Sequence, residues 1–380
     1  MANRREFLKR LTAAPLVAGA YARTPGGVNA APMPAQATTD DWRAGLAPER
    51  DFFRAAPSDC EWQREGTSFW LFDQDGAFAI PRFGVEAQAH AWEERRYQAS
   101  VVAEGLVVRD GGSARMHPTI DAVGQPAILG AGPLRMRCIE PFRRWHVRYE
   151  GTPLATDVAA HIAGTADEGR RIALRFEFEL TMATPIWLQD HSPVEFAKFG
   201  RGQRWGALSV GLGWRFEQML RGEGELSVDG AARTASVVGS RVKRRSVRTD
   251  GLFLRGHCWQ TAVFPDGRAF GYMVYPPDDQ GNEGWNSGFI YLDGRMYPAK
   301  PVQIPWLSGG RNASTDCSVA LESELGVTRI EGTTMHPLYG EFLGFDLQQG
   351  GPRYRWDGQS TYGMLERTAP QWPRETPRAD

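Results

Sequence analysis

The stretch Ser68-Phe69-Trp70-Leu71-Phe72-Asp73-Gln74-Asp75-Gly76-Ala77-Phe78-Ala79-Ile80 reads as strand, turn, strand. Asp-Gly between apolar segments is the strongest short hairpin signal, because both central turn residues must tolerate positive φ. The dipeptide recurs, starting at Asp75, Asp110, Asp229, Asp250, Asp266, Asp293 and Asp357. Glu225-Leu226-Ser227-Val228-Asp229-Gly230 repeats the grammar, as does the run from Phe289 through Asp293-Gly294 to Tyr297. Arg171 to Leu180 alternates polar and apolar residues with period two, as a half-buried strand does. No long helix announces itself, and the stretch 193–200 suits one short helical turn stopped by Gly200. The expected class is all-β and antiparallel, a sandwich or barrel.

Working outward, 380 residues suggest two domains at about 150 residues each. Pro185 through Gly206 collects His, Asp, Ser, Pro, Gly and Arg between two strand-rich halves. The expected division is an N-terminal β domain over 41–187, a linker over 188–206, a C-terminal barrel over 207–368 and a disordered tail over 369–380. Trp70 precedes Asp75-Gly76 much as Trp259 precedes Asp266-Gly267, a faint internal echo. Asn3-Arg4-Arg5-Glu6-Phe7-Leu8-Lys9 followed by a weakly apolar stretch resembles a twin-arginine export signal. On that reading residues 1–40 are signal and linker, the export machinery is a partner, and the protein works in the periplasm or beyond. Changing Arg4 and Arg5 to Lys should then trap it in the cytoplasm.

Composition excludes several classes. The 44 basic and 45 acidic residues give a net charge of -1, which argues against a general nucleic-acid binder. No apolar run reaches the roughly 20 residues needed to cross a bilayer. Cys60, Cys138, Cys258 and Cys317 form no C-x-x-C pair and leave one or two disulfides open. The seven His are scattered without metal-ligand spacing, so no metal is expected. No G-x-S-x-G elbow and no glycine-rich phosphate loop is present. Cofactor-free acid–base chemistry in an enclosed pocket remains.

Two segments carry more than β grammar. One is Glu140-Pro-Phe-Arg-Arg-Trp-His-Val-Arg-Tyr-Glu-Gly151. The other runs from Arg215-Phe-Glu-Gln218 through Gly222 to Gly230, and on to Leu254-Arg-Gly-His-Cys-Trp259. Together they resemble the carotenoid 1,2-hydratase superfamily, also called AttH-like, with kievitone hydratase among its members. The resemblance covers roughly residues 60–367 and implies two consecutive lipocalin-like β domains. It also implies addition of water to an isoprenoid double bond, or a related isomerisation or cyclisation. The family motif Arg-Asp-His-x-Trp-Gly stands here as Arg255-Gly256-His257-Cys258-Trp259-Gln260, with Gly256 and Gln260 as departures. An aromatic-x-Asp pair maps onto Tyr291-Leu292-Asp293.

Hydrating an alkene needs an acid held neutral by its surroundings and a cation-stabilising aromatic wall. His257 and Trp259, two apart on a strand, would enter one chamber together. The catalytic candidates are therefore His257, Asp293 and Tyr291, and the substrate-binding candidates Trp259, Arg255 and Trp285. Asp293 also reads as a plain hairpin-turn residue. Glu86, His90 and Trp92 would share one face if extended, and could line a pocket between the domains; Glu366 is a weaker acid candidate. Two functions follow: a cofactor-independent lyase for an apolar isoprenoid, prenylated aromatic or steroid-like molecule, or an exported carrier of an apolar ligand without turnover.

Overall fold

The structure, a computed structural model, describes residues 41–120, 124, 128–165, 169–247, 255–277, 284–342 and 344–370, with the side chains of 201, 202, 205, 206 and 209 excepted. The twin-arginine-like start, the Asp250-Gly251 pair and the tail beyond residue 370 lie outside the described residues.

The chain builds two antiparallel β bodies. The first is a curled sheet of thirteen strands. They are β1 (Gln63–Asp73), β2 (Phe78–Gln88), β3 (Glu94–Ala103), β4 (Leu106–Arg115), β5 (Ile128–Ala131), β6 (Leu134–Glu140), β7 (Arg144–Gly151), β8 (Leu154–Asp157), β9 (Arg170–Arg171), β10 (Leu174–Met182), β11 (Trp187–His191), β12 (Leu212–Val228) and β13 (Ala231–Val247). Their spatial order is β5-β6-β7-β10-β12-β13-β1-β2-β3-β4-β8-β9, with β11 beside β12. The sheet curls back on itself: an isolated bridge joins Met116, just past β4, to Ala131 in β5. Phe69, Phe83, Trp145, Tyr149, Phe176 and Phe178 consequently share one core.

The second body is a closed eight-stranded barrel of lipocalin-like type. It comprises β14 (Cys258–Val263), β15 (Ala269–Tyr275), β16 (Trp285–Leu292), β17 (Arg295–Gln303), β18 (Val319–Ser323), β19 (Gly326–Phe342), β20 (Phe345–Trp356) and β21 (Gln359–Thr368). The all-β reading holds. The hairpin grammar holds at 229, 293 and 357, where Asp and Gly both take positive φ, as a two-residue turn of this hand requires. At Asp75-Gly76 and Asp266-Gly267 only the glycine takes positive φ, in longer connections, and Asp110-Gly111 lies inside β4. Short helices occupy α1 (Val158–Ala163), α2 (Pro193–Lys198) and α3 (Arg201–Val210). α3 was not foreseen; Gly200 opens it, and the Gly200 N–H is held by Gln203 Oε1 at 3.2 Å.

The strand order moves the division between the two bodies. The sequence pointed to a linker over 188–206 and a second domain from 207, yet β12 and β13 sit in the middle of the first sheet, paired to β10 and β1. The polar stretch is an excursion through α2 and α3 that returns to the same sheet. The change of body falls between Val247 and Cys258. All four cysteines are free thiols.

Contacts across the seam are specific. Trp70 of β1 meets Trp259 of β14 edge-on at 4.9 Å, so the two echoed tryptophans touch each other. Thr261 Oγ1 and Ser240 Oγ lie 3.0 Å apart, and His336 Nε2 reaches the Gly76 carbonyl at 3.0 Å.

Candidate functional site

Side chains alternate along β14, and the alternation assigns two roles. Cys258 and Ala262 enter the barrel lumen, where Phe270, Tyr272, Tyr354 and Trp356 leave it filled. Gln260 joins them through Tyr272, whose hydroxyl donates to Gln260 Oε1 at 2.9 Å. His257 and Trp259 face the other way, toward the curled sheet. The expected chamber inside the barrel is therefore not where the pair points. The two residues do share a face, as their spacing requires, but it is the barrel's outer face. Neither is exposed to bulk solvent, at 4% and 3% respectively.

What they line is a cleft of about 730 Å³ between the two bodies, within the range of small-molecule sites. One side is the outer face of the curled sheet. It presents Arg64, Arg82, Arg96, Arg109, Arg215 and Arg244, with Gly66 and Gly84 keeping the floor low. A Cβ on Gly84 would meet the Thr67 carbonyl oxygen at 2.3 Å, so the close strand approach there requires glycine. The other side is the barrel wall, with Trp259, Met273, Tyr275, Leu338, Tyr339 and Phe342. The cleft is cationic on one side and largely apolar on the other.

At the wall, His257 Nε2 and Glu366 Oε1 are 3.0 Å apart. Glu366 lies on β21, directly across from Trp259 in register. Its second oxygen accepts from Gln349 Nε2 at 2.6 Å and from Arg82 Nη1 at 3.4 Å. Burial opposes ionisation of Glu366, but Arg82, His257 and Gln349 outweigh it and hold the carboxyl well below its usual range. Glu366 is thus a carboxylate and an acceptor. His257 must donate from Nε2, which leaves Nδ1 as the ring's other proton site. Nδ1 is itself buried and has no hydrogen-bond partner. Thr368 Oγ1 accepts the His257 backbone N–H at 2.8 Å and anchors this end of β14.

Behind the wall, Trp259 Nε1 donates to Glu217 Oε2 at 2.9 Å, and the Arg215 guanidinium lies 4.6 Å from the indole centroid. Arg215 also pairs with Glu217. Burial pushes the Glu217 carboxyl up in spite of Arg215 and the indole N–H. Trp259 is therefore clamped between the two bodies by a buried carboxyl and a cation.

The remaining candidates separate. Glu86 lines the cleft, 3.1 Å from Arg64. His90 and Trp92 do not, because β2 ends at Gln88 and the chain turns through a 3₁₀ segment at Ala89–Ala91. His90 Nδ1 instead approaches the Glu61 carbonyl at 3.2 Å, and Trp92 packs on Phe53. Asp293 is an exposed turn residue at φ 49. Tyr291 sits half-buried on β16, outside the cleft lining. Neither residue lines the cleft. Trp285 stacks edge-on with His191 at 4.5 Å, also outside the lining. Arg255 is half-buried and does not line the cleft. Arg82, Gln349 and Glu217 were missed. The usable signal was alternation in β1, β2 and β12, which puts Arg64, Gly66 and Ser68, or Arg215 and Glu217, on one face.

Among the described residues, no cluster of three or more His, Cys, Asp or Glu is placed to hold a metal, and no helix is long and apolar enough to cross a membrane.

The fold has known counterparts. A protein assigned as AttH from Nitrosomonas europaea superposes with a TM-score of 0.49 at 14% identity, over 82% of this chain and 97% of its own. CghA, solved with Sch210972, superposes with a TM-score of 0.50 at 9% identity, over 81% of this chain and 89% of its own. At such identities the likeness concerns the fold alone. No curated protein matches the sequence. The match that spans both β bodies and the seam between them is to a family: over residues 48–371, the chain belongs to the one described as Domain of unknown function (DUF7064).

Proposed function

We propose that the cleft is the active site of a cofactor-independent enzyme that moves a proton on a bound small molecule, a hydratase or a related isomerase or cyclase. The observation that carries this reading is the buried His257–Glu366 pair on the wall of the cleft. A carboxylate that fixes one imidazole nitrogen leaves the other to act as general base and then as general acid.

Chemistry narrows the substrate. An ionised Glu366 has no proton to give, and an imidazolium is too weak an acid for an isolated alkene. A double bond conjugated with a carbonyl suits the pair. His257 Nδ1 takes a proton from the carbon beside that system, and Glu366 stabilises the imidazolium so formed. The same proton then returns to a second carbon, which is isomerisation, or to a departing hydroxyl, which is dehydration; hydration is the reverse. The aromatic wall suits an isoprenoid, prenylated aromatic or steroid-like skeleton. Support comes also from the AttH-like motif, of which Arg255, His257 and Trp259 remain. The alternative, a carrier without turnover, would use the same cleft and is separated by experiment.

The test is incubation with a panel of prenylated and steroid-like enones in deuterated or heavy-oxygen water, read by mass. The wild type should incorporate label. His257→Gln and Glu366→Gln should slow this by about 10²–10⁴-fold while the melting transition of His257→Gln stays in place. Binding without label uptake across the panel would leave the carrier reading. Full activity in His257→Gln would remove the pair from the mechanism.

A further inference from the structure

Two glutamines follow each other on β20 and use their amides differently. Gln348 is wholly inaccessible. Its Nε2 donates to Tyr339 Oη at 2.9 Å and to Thr315 Oγ1 at 3.3 Å, and its Oε1 accepts from Arg367 Nε at 2.8 Å. Both ends of that amide are engaged by protein. Gln349, on the opposite face, is half-buried and lines the cleft. It is in register with Glu366 on β21, Glu366 with Trp259 on β14, and Trp259 with Met273 on β15. Four neighbouring strands thus present one row of side chains to the cleft.

Glu366 divides its two oxygens within that row. Oε1 faces His257 Nε2, and Oε2 accepts from Gln349 Nε2 at 2.6 Å. A carboxylate only accepts, so the amide nitrogen is the end that faces it. The charge that fixes the imidazole therefore fixes the amide as well. What remains of Gln349 is Oε1 and one N–H. Among the described residues Oε1 has no donor. An acceptor and a donor on one planar amide complement a hydroxyl or a water, which both gives and takes a hydrogen bond. They do not complement an alkene carbon.

We infer that Gln349 binds the oxygen that the guest gains or loses, and so selects addition or loss of water over mere migration of a double bond. The inference rests on the reading of the cleft as a proton-transfer site, and deepens it by naming the group that the site holds beside the pair. In loss of water, the C–H bond beside the carbonyl breaks and its proton passes to His257. The electron pair left on carbon forms the new double bond. The carbon–oxygen bond breaks with its pair on oxygen, and the imidazolium returns the proton to that oxygen, so water leaves. Migration uses two proton transfers at carbon and no departing oxygen, and has no need of the amide.

Two steroid ketones that yield one product separate these steps. Androst-5-ene-3,17-dione reaches the conjugated 4-ene by migration, and 5-hydroxyandrostane-3,17-dione reaches it by loss of water. Both are followed by the ultraviolet absorbance of the enone. The wild type should convert both. Gln349→Met should slow loss of water about tenfold or more beyond any slowing of migration, and Gln349→Asn should fall between. His257→Gln should slow both alike. Damage to the fold or to the Glu366 charge lowers both rates together, so an unchanged ratio in Gln349→Met overturns the inference. Calorimetric binding of the hydroxy ketone against androstane-3,17-dione gives a reading without turnover. The wild type should favour the hydroxy ketone by about fivefold or more, and Gln349→Met should not. Equal binding by the wild type, or binding of neither, overturns the inference. A Gln349-dependent preference without turnover of either ketone sinks the enzymatic reading and leaves the oxygen contact standing. His257-dependent migration without loss of water in the wild type does the opposite.

Discussion

Phe270, Tyr272, Tyr354 and Trp356 fill the lumen of the closed barrel, whereas one end of the curled sheet's interior holds Asp51, Glu65, Arg95, Arg241 and Lys243, all nearly inaccessible. In the barrel, polar groups close on neutral partners: Cys258 on Tyr272, Tyr272 on Gln260, and Gln260 on the Cys317 carbonyl. In the sheet they close on charges. Arg241 binds Asp51 at 2.6 Å, while Lys243 and Arg245 share Glu65 at 3.4 and 2.7 Å. Phe53 adds an aromatic face to Lys243 at 3.8 Å and to Arg95 at 4.6 Å. Eight closed strands leave an interior that side chains can fill. The wider curl leaves more, and long cationic side chains packed on rings occupy it. Among the described residues both interiors are packed with side chains, and the cleft lies at the seam.

The largest break in this comparison comes from the lumen. Phe270→Ala removes a fully buried ring packed edge-on against Tyr354 at 5.1 Å. It should cost about 3–5 kcal/mol of unfolding free energy, measured by urea titration, while ligand affinity of the folded protein is unchanged. A variant as stable as the wild type would show that the lumen is not tightly packed.

At the seam, Trp259→Phe strips Glu217 of its indole donor in a site without water access. Loss of about 1–3 kcal/mol is expected, together with weaker ligand binding. Here stability and binding should fall together, in contrast to Phe270→Ala.

The sheet interior is probed by pH. Burial pushes Lys243 down to about 7, against the partial support of Glu65. Unfolded, a lysine titrates near 10.4. Between those values the unfolded chain holds the proton and the folded protein does not, so stability should rise with pH through that window and be lowest below it. The slope attributable to Lys243 is at most about 1.4 kcal/mol per pH unit. Lys243→Met should flatten that rise, with Glu65 still held by Arg245. Parallel stability–pH curves for the two proteins would show that Lys243 does not titrate there.

Smallest of all, Asp293→Asn should change neither melting nor ligand binding by more than about 0.5 kcal/mol. Asn-Gly serves the same turn, and Asp293 is exposed and outside the cleft lining. A large loss of activity would restore Asp293 as an acid.

The reading from sequence reached different depths for different residues. Arg82 was unmarked, because its role depends on a partner 284 positions away. Glu366 could be named as an acid but not joined to His257, since 109 residues separate them. His90 and Trp92 were misplaced by two positions of strand that the chain spends on a turn instead.

Local chemistry alone determined the all-β class, the turns at Asp229, Asp293 and Asp357, and the shared face of His257 and Trp259. Turn dihedrals and strand alternation act over two to four residues and are written in any short window. Tertiary structure alone decided that this shared face looks out of the barrel, that β12 and β13 belong to the first sheet, and that six arginines oppose an aromatic wall. Alternation distinguishes two faces without saying which will be inside, and that choice is made only when distant strands pair and close.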